Sequence, residues 1–163
     1  MDVIKVKELI KKYGALTAVN GVSFDVKKSE IFGLLGPNGA GKTTTLEIIE
    51  GLQPPTKGKI NVVGLDPVKQ QLKVKEKIGI QLQSSAFFDY LNLTELINLF
   101  KSYYSTDSNI DASHLLEMVG LESKKKACVN QLSGGQKQRF SIIAALVNDP
   151  EINAIVLDVD SPG

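Results

Sequence analysis

The residues best suited to chemistry begin at Gly36, in the stretch GPNGAGKT, which matches the phosphate-binding pattern G-x-x-x-x-G-K-[ST]. Gly36, Gly39 and Gly41 are expected to adopt positive φ angles, so that this phosphate loop turns its N–H groups toward an anion. Lys42 is expected to reach the β- and γ-phosphates of a nucleotide, and the Thr43 hydroxyl to ligate Mg²⁺. A glycine-rich turn with an ordinary lysine is the structural alternative. The other loop residues expected to contact the nucleotide are Pro37, Asn38, Ala40 and Thr44.

A second glycine motif, LSGGQ at 132–136, precedes a segment that predicts a helix. Ser133, Gly134 and Gly135 lie at the start of that helix, where exposed backbone N–H groups favour a bound anion. Taken alone, Ser-Gly-Gly is also compatible with an ordinary turn. Its position downstream of the phosphate loop makes it a second candidate for contact with phosphate.

The C-terminal stretch NAIVLDVDSPG, residues 153–163, is the third candidate. Four apolar residues lead into Asp158, as in a buried strand that delivers a carboxylate to the metal ion of a nucleotide. Val159 follows, and its side chain has no lone pair for a water molecule. Because successive side chains of a strand point to opposite faces, Asp160 could share a face with Asp158. The sequence therefore predicts Asp158 as a metal ligand.

These motifs require strands and helices that alternate along the chain. Strands are predicted at 2–10, 22–27, 31–36, 58–64, 76–83 and 153–158. Helices are predicted at 42–52, 93–104, 111–120 and 136–149. Asp111 is the expected N-cap of the third helix, and Gly51 and Gly120 are expected to end the first and third. The alternation indicates an α/β fold with a largely parallel central sheet.

The composition of the 163 residues, with 42% hydrophobic and 23% charged residues, is typical of an ordinary globular protein. Its net charge of +1 gives no general attraction to nucleic acid. The single cysteine, Cys128, excludes an internal disulfide and is expected to be semi-buried, and His114 is expected on a helix surface. The N-terminus lacks an apolar targeting region, and the longest apolar run, 142–147, is too short to cross a membrane.

Together, the phosphate loop, LSGGQ and the following KQRFSIIAALVNDPE resemble the ATP-binding subunits of ABC transporters, over residues 2 to about 151. The resemblance implies a P-loop NTPase fold of the ABC ATPase type, with a mixed central sheet, an antiparallel N-terminal β part and a helical subdomain. It implies one ATP-binding domain over 1–163, with the helical subdomain at about 84–135 and an atypical tail at 152–163. The fold is expected to be incomplete at its C-terminus.

The resemblance also implies roles for single residues and the ligands ATP and Mg²⁺. Tyr13 occupies the position of an adenine-stacking aromatic, with a packed tyrosine in an edge hairpin as the alternative. Gln83 resembles the glutamine that contacts Mg²⁺ or the attacking water, and Gln81 is the alternative in the same stretch. Ser133, Gly134 and Gly135 resemble the signature that caps the γ-phosphate of ATP on a second subunit, which implies a head-to-tail dimer.

The tail departs from this family pattern. ABC ATPases place a glutamate after the strand aspartate, where it orients the attacking water, and here that position holds Val159. Asp160 is the remaining candidate for the catalytic role. Asp158 lies eight positions after Pro150, a longer interval than is usual in the family. The family's switch histidine belongs beyond Gly163.

The ending AIVLDVDSPG has a second resemblance, to the strand and oxyanion loop of the Clp protease and signal-peptide-peptidase superfamily. The match covers about ten residues, and no other peptidase element is visible in the sequence. It raises the alternatives that the tail is a fusion, a frameshift or a truncation.

The function that the resemblance implies is ATP binding and hydrolysis coupled to export through a separate membrane-spanning subunit. Stretches such as KKYGALTAVNGVSF resemble exporters of the ABC-2 type, for drugs or sodium. Phe87, Phe88 and Tyr90 are expected either to line a groove for the membrane subunit or to pack in the core. The expected location is cytoplasmic, on the inner face of the cell membrane through the partner, and no nucleic acid partner is expected.

Three other functions stay open at this stage. The first is an incomplete cassette that binds ATP without turnover and acts as a nucleotide-dependent interaction module. The second is a soluble ABC protein of translation or DNA repair, and the third is a peptidase. The transported substrate is not predicted, because specificity resides in the membrane subunit.

Overall fold

The computed structural model describes residues 1–81, 87–104, 111–147 and, for the backbone only, 154–157. The chain divides into two compact units, Met1–Ile78 with Asn153–Gly163, and Gly79–Ile152. By residue number the predicted helical subdomain, about 84–135, falls in the second unit and stays a prediction. No helix among the described residues is both long and apolar enough to cross a bilayer.

The first unit contains a three-stranded antiparallel sheet in the order β2-β1-β3. Its strands are β1 (Asp2–Tyr13), β2 (Leu16–Lys27) and β3 (Lys57–Val62). β1 and β2 form a hairpin in which Tyr13 pairs with Leu16, and Gly14 turns the chain with a φ of 58°. The antiparallel N-terminal part is therefore as predicted. The first two strands exceed their predicted lengths because each supplies the other with hydrogen-bond partners.

Helix α1 (Lys42–Ile49) follows the phosphate loop and ends as its sequence predicts. The Gly51 N–H donates to the Ile48 carbonyl at 3.1 Å, and the Leu52 N–H donates to the Glu47 carbonyl at 2.8 Å. With Gly51 at a φ of 73°, these bonds form a Schellman motif. The chain therefore reverses sharply after α1. Three further elements are α2 (Gln71–Lys75), β4 (Ile78–Gln81) and β5 (Ala154–Leu157).

The prediction of a buried strand at 31–36 is wrong. Within the described residues this segment has no strand partner, and Ile31 and Leu35 are almost fully exposed. Phe32 instead stacks on Phe24 of β2, with ring centroids 4.8 Å apart. An apolar run becomes a buried strand only where a neighbouring strand edge accepts its hydrogen bonds. Composition cannot reveal whether such an edge is present.

The second unit is helical, with α3 (Leu93–Ser102), α4 (Ala112–Met118) and α5 (Gly134–Ala145). Asn92 caps α3, in a capping box with Glu95. Asp111 occupies the predicted N-cap of α4, and Gly120 ends that helix at a φ of 65°. The helices meet in one apolar core. Its most buried members include Leu93, Leu96, Ile97, Leu115, Leu116, Phe140 and Ile143.

Candidate nucleotide site

The phosphate loop turns at Pro37–Ala40. The Ala40 N–H donates to the Pro37 carbonyl at 3.1 Å, and Gly39 at the third position of this turn has a φ of 82°. That conformation is the one a type II turn requires at its third residue, and glycine adopts it without strain. Gly36 is not among the residues with positive φ, so that expectation is wrong. The chain reverses after Gly36, at the turn itself.

Gly41 closes the loop against β2. Its φ is 85°, and a Cβ atom placed on it would lie 2.2 Å from the Ala18 carbonyl oxygen and 3.0 Å from Val19 Cγ2. No side chain fits in this space. The end of the loop is therefore held against the backbone of β2 by a close approach that only glycine permits.

Gly41 is also the N-cap of α1, and it has no side chain that could accept a hydrogen bond from the first amides of the helix. The first turn contains no acidic residue. Thr45 donates its hydroxyl to the Gly41 carbonyl at 2.8 Å, whereas the Thr43 side chain is exposed. Unpaired N–H groups and the helix dipole together favour an anion at this end.

Lys42 lies across the loop that precedes it. Its Nζ donates to the Gly36 carbonyl at 2.7 Å and to the Pro37 carbonyl at 3.0 Å. An ammonium group has three N–H donors and no acceptor. The side chain therefore places an ammonium group beside the loop, and ammonium groups bind phosphate through charge-assisted hydrogen bonds.

Tyr13 lies at the end of β1 and is 48% exposed. Its hydroxyl donates to Gln53 Oε1 at 2.5 Å, and Gln53 Nε2 donates to Glu47 Oε2 of α1 at 2.6 Å. Lys11 Nζ lies 5.0 Å from the centroid of the tyrosine ring. The ring is thus neither free nor packed inside a core. Sequence reasoning missed Gln53 and Glu47, since no local pattern marks either residue as a partner of Tyr13.

The LSGGQ motif forms the start of α5. Ser133 is its N-cap and forms a capping box with Gln136, so the helix begins at Gly134 and not at 136 as predicted. Gly134 and Gly135 are exposed, neither has a positive φ, and a Cβ atom on either would meet no atom within 4 Å. Within the part of the chain that the structure describes, neither backbone conformation nor packing therefore requires glycine at these positions.

Other predicted residues have mixed outcomes. Gln83, Asp158, Val159 and Asp160 lie outside the described residues. Gln81 is 7% exposed in β4, and its Oε1 has no hydrogen-bond partner in the described part of the chain.

Cys128 is half-buried, as expected. His114 is exposed on α4, as expected, with Nδ1 3.9 Å from Glu117 Oε2.

The aromatic residues before α3 divide into two groups. Phe87 packs edge-on against Phe140 at 5.1 Å and tilted against Phe100 at 6.1 Å, measured between ring centroids. Phe88 and Tyr90 are exposed, and Tyr90 is 95% exposed. The core interpretation therefore applies to Phe87, and only the other two present an aromatic surface.

Comparisons with known proteins point to one family. The ABC transporter family model matches residues 19–158. The chain is 39% identical to the linearmycin resistance ATP-binding protein LnrL of Bacillus subtilis, over 98% of this chain and 52% of LnrL. It is 38% identical to Nod factor export ATP-binding protein I of Burkholderia orbicola, over 98% of this chain and 53% of that protein. The chain thus spans about half the length of these relatives.

A solved structure is also similar. It is cbiO1 from Clostridium perfringens, described as part of the ABC transporter complex cbiONQ. Its TM-score with this chain is 0.82 at 27% sequence identity, and the match covers 96% of this chain and 64% of cbiO1. The likeness therefore extends over almost the whole of the present chain.

Proposed function

Because this chain belongs to the ABC transporter family, we propose that it is an ATP-binding subunit that couples ATP binding and hydrolysis to export through a separate membrane subunit. The structural likeness confirms the predicted P-loop NTPase fold of the ABC ATPase type. Members of this family bind ATP with Mg²⁺ and hydrolyse it, and their ATP-binding subunits work with membrane subunits. The similar proteins include ATP-binding proteins of export and resistance systems.

The geometry of the phosphate loop carries the proposal. Gly39 and Gly41 have the left-handed φ angles that an anion-binding loop needs, and α1 begins directly after them without a side-chain cap. The Lys42 ammonium lies against the carbonyls at the start of the loop. A triphosphate would be held by these amides and this ammonium, because both favour negative charge and the ammonium adds charge-assisted hydrogen bonds.

The magnesium ion is assigned to the exposed Thr43 hydroxyl, with Gln83 and Asp158 as further ligands by family resemblance. When bound, the ion neutralises charge on the β- and γ-phosphates. Gln83 is preferred to Gln81 because the Gln81 side chain is buried in β4. Gln83 and Asp160 are proposed to orient the water, because Val159 has no group that could do so.

A second copy of the subunit is proposed to bind at the LSGGQ motif. Among the described residues, nothing gives the two glycines at the start of α5 a conformational or packing role, although glycine costs a helix about 1 kcal/mol relative to alanine. Their absence of side chains leaves the first amides of α5 open to a large anion. ATP on the phosphate loop of a head-to-tail partner would supply that anion.

The membrane subunit is proposed to contact the second unit, which we assign as the helical subdomain, about 84–135, of a single ATP-binding domain. Phe88 and Tyr90 support this proposal because they are exposed aromatic residues. Aromatic side chains of this kind are enriched at protein interfaces. The transported substrate would be selected by the membrane subunit.

Titration of the purified chain with Mg-ATP tests the binding site. Lys42→Ala should raise the Kd for Mg-ATP at least tenfold, because it removes a charge-assisted contact to phosphate. Lys126→Ala is the matched control, since that lysine is exposed in the second unit. Both variants should unfold at the urea concentration of the original chain. Equal affinity of Lys42→Ala and the control would overturn the proposal.

Turnover requires a second assay, made with and without the membrane subunit. Asp160→Asn should lower the rate of ATP hydrolysis about 100-fold or more while leaving Mg-ATP affinity intact, because it removes a general base. Asp25→Asn is the control, since Asp25 is an exposed carboxylate of β2. Tight ATP binding with no hydrolysis in either setting would instead favour the cassette that binds without turnover.

A further inference from the structure

The Tyr13 side chain is connected to helix α1 by two consecutive hydrogen bonds. The Tyr13 hydroxyl donates to Gln53 Oε1 at 2.5 Å, and Gln53 Nε2 donates to Glu47 Oε2 at 2.6 Å. Glu47 belongs to the helix whose first residues end the phosphate loop. The Gln53 side chain thus connects the tyrosine ring to the helix that follows the phosphate loop.

These two hydrogen bonds require glutamine at position 53. The carboxylate of Glu47 only accepts hydrogen bonds, so it must face the amide nitrogen of Gln53. The amide oxygen then faces Tyr13, whose hydroxyl must donate. A leucine at position 53 could make neither bond, and a glutamate would place its carboxylate against that of Glu47. The orientation of the amide is therefore fixed by its two neighbours.

The backbone around Gln53 brings it to this position. The Schellman motif at Gly51 reverses the chain, so that the residues after it run back alongside the end of β1. The Thr56 N–H donates to the Ile10 carbonyl at 2.8 Å, and the Lys12 N–H donates to Thr56 Oγ1 at 2.9 Å. These bonds fasten the segment 53–56 to the strand that ends at Tyr13.

Lys11 restricts the tyrosine ring further. Its Nζ donates to the Pro54 carbonyl at 2.7 Å and lies over the ring, 5.0 Å from the centroid. A cation over an aromatic face is attracted by the electrons of the ring. Because Lys11 covers one face, a purine base that stacks on Tyr13 must use the opposite face.

We infer that Gln53, oriented by Glu47, is a positioning residue that holds the Tyr13 ring at a fixed distance from the phosphate loop, ready to stack on the base of ATP. This inference rests on the proposed function, in which Tyr13 contacts adenine. Gln53 itself touches no ligand. Its effect is that the ring is ordered before the nucleotide binds, so that nucleotide binding does not lose the conformational entropy of ordering it.

Affinities for Mg-ATP and for magnesium tripolyphosphate, which has the phosphates but no base, test the inference. Gln53→Leu and Tyr13→Phe should each weaken Mg-ATP binding about three- to tenfold, because each removes the hydrogen bond between Tyr13 and residue 53. The double variant should be no weaker than either single variant, because both substitutions break the same bond. Affinity for tripolyphosphate should stay within about twofold of the original.

Substitutions at Glu47 provide a matched pair. Glu47→Gln retains an oxygen that accepts from Gln53 and should bind Mg-ATP like the original chain. Glu47→Leu removes that acceptor and should resemble Gln53→Leu. If Glu47 only supported folding, Glu47→Gln and Glu47→Leu would show the same ratio of ATP affinity to tripolyphosphate affinity.

Three results would overturn the inference. Parallel loss of ATP and tripolyphosphate affinity in Gln53→Leu would show that the residue only supports the fold. Unchanged ATP affinity in Gln53→Leu and Tyr13→Phe, with Lys42→Ala still defective, would remove the positioning role and leave the proposed function standing. Unchanged affinity of Lys42→Ala for both ligands would instead refute the proposed function, and the positioning role with it.

Discussion

The two glycine motifs of this chain use glycine for different reasons. In the phosphate loop, Gly39 and Gly41 have φ angles of 82° and 85°, and a Cβ atom on Gly41 would lie 2.2 Å from a carbonyl of β2. In the LSGGQ motif, Gly134 and Gly135 have neither a positive φ nor any atom within 4 Å of such a Cβ. The chain itself requires the first pair, whereas nothing within the described residues requires the second.

This difference separates a loop that is constrained by its own fold from a helix start that is proposed to bind a second copy of the subunit. Gly41 lets the end of the loop approach β2, so its replacement should disturb folding and binding together. Gly134 and Gly135 leave the amides at the start of α5 accessible from outside, so their replacement should disturb only association. The four predictions below test this contrast.

The largest effect is expected at Gly41. Gly41→Ala should lower the free energy of unfolding by roughly 2–5 kcal/mol, because the methyl group overlaps the Ala18 carbonyl and the φ of 85° is strained for alanine. Urea unfolding of the purified chain measures this loss. Gly39→Ala is the control for backbone strain alone and should cost about 1–2 kcal/mol. Equal losses would show that the approach to β2 is unimportant.

The double substitution of Gly134 and Gly135 by alanine should affect association instead of folding. Stability should be unchanged or higher by up to about 1 kcal/mol per site, because alanine favours helix. Self-association with a non-hydrolysable ATP analogue, measured by sedimentation, should weaken at least tenfold, about 1.4 kcal/mol. Lys137→Ala, an exposed change in the same helix, is the control. An intact dimer, or a destabilised monomer, would contradict the proposed difference between the two glycine motifs.

Ser133 separates capping from ligand contact within the second motif. Ser133→Ala should cost about 1 kcal/mol of stability in urea unfolding, because it removes the N-cap acceptor of α5. Ser133→Asp retains an acceptor and should preserve stability, yet its negative charge should weaken ATP-dependent association. If both variants associate like the original chain, phosphate does not approach this helix end.

The smallest effect is expected at Gly36. Gly36→Ala should cost less than about 1 kcal/mol, because its φ is not left-handed and the new methyl group would meet only Ala40 Cβ, at 3.2 Å. Mg-ATP affinity and the urea midpoint should both stay close to the original. A loss as large as that of Gly41→Ala would show that the whole loop is equally constrained.

Local features were predicted well from the sequence. The helix predicted at 93–104 forms α3, in which Leu93, Leu96 and Ile97 are fully buried. Gly51 and Gly120 end their helices in the left-handed conformation, as helix-stop glycines do. The start of α5 was misplaced because glycine has low helix propensity, whereas the Ser133 capping box draws both glycines into the first turn.

Contacts between distant segments were not predictable in the same way. The apolar run at 31–36 predicted a strand that the structure does not contain. Gln53 gave no signal at all, because its partners Tyr13 and Glu47 lie 40 and 6 residues away in sequence. Gly41 was assigned correctly to the loop, but its approach to Ala18 depends on the path of β2.

The sequence by itself determined which residues form the phosphate loop and the LSGGQ motif, and where α1 and α4 end, because these features depend on side-chain types and φ preferences within a few residues. Only the tertiary structure decided which glycine is enclosed, whether an apolar segment has a strand partner, and which side chain holds Tyr13. Those outcomes depend on hydrogen-bonding edges and space supplied by residues far away in the chain, and a local pattern has no information about either.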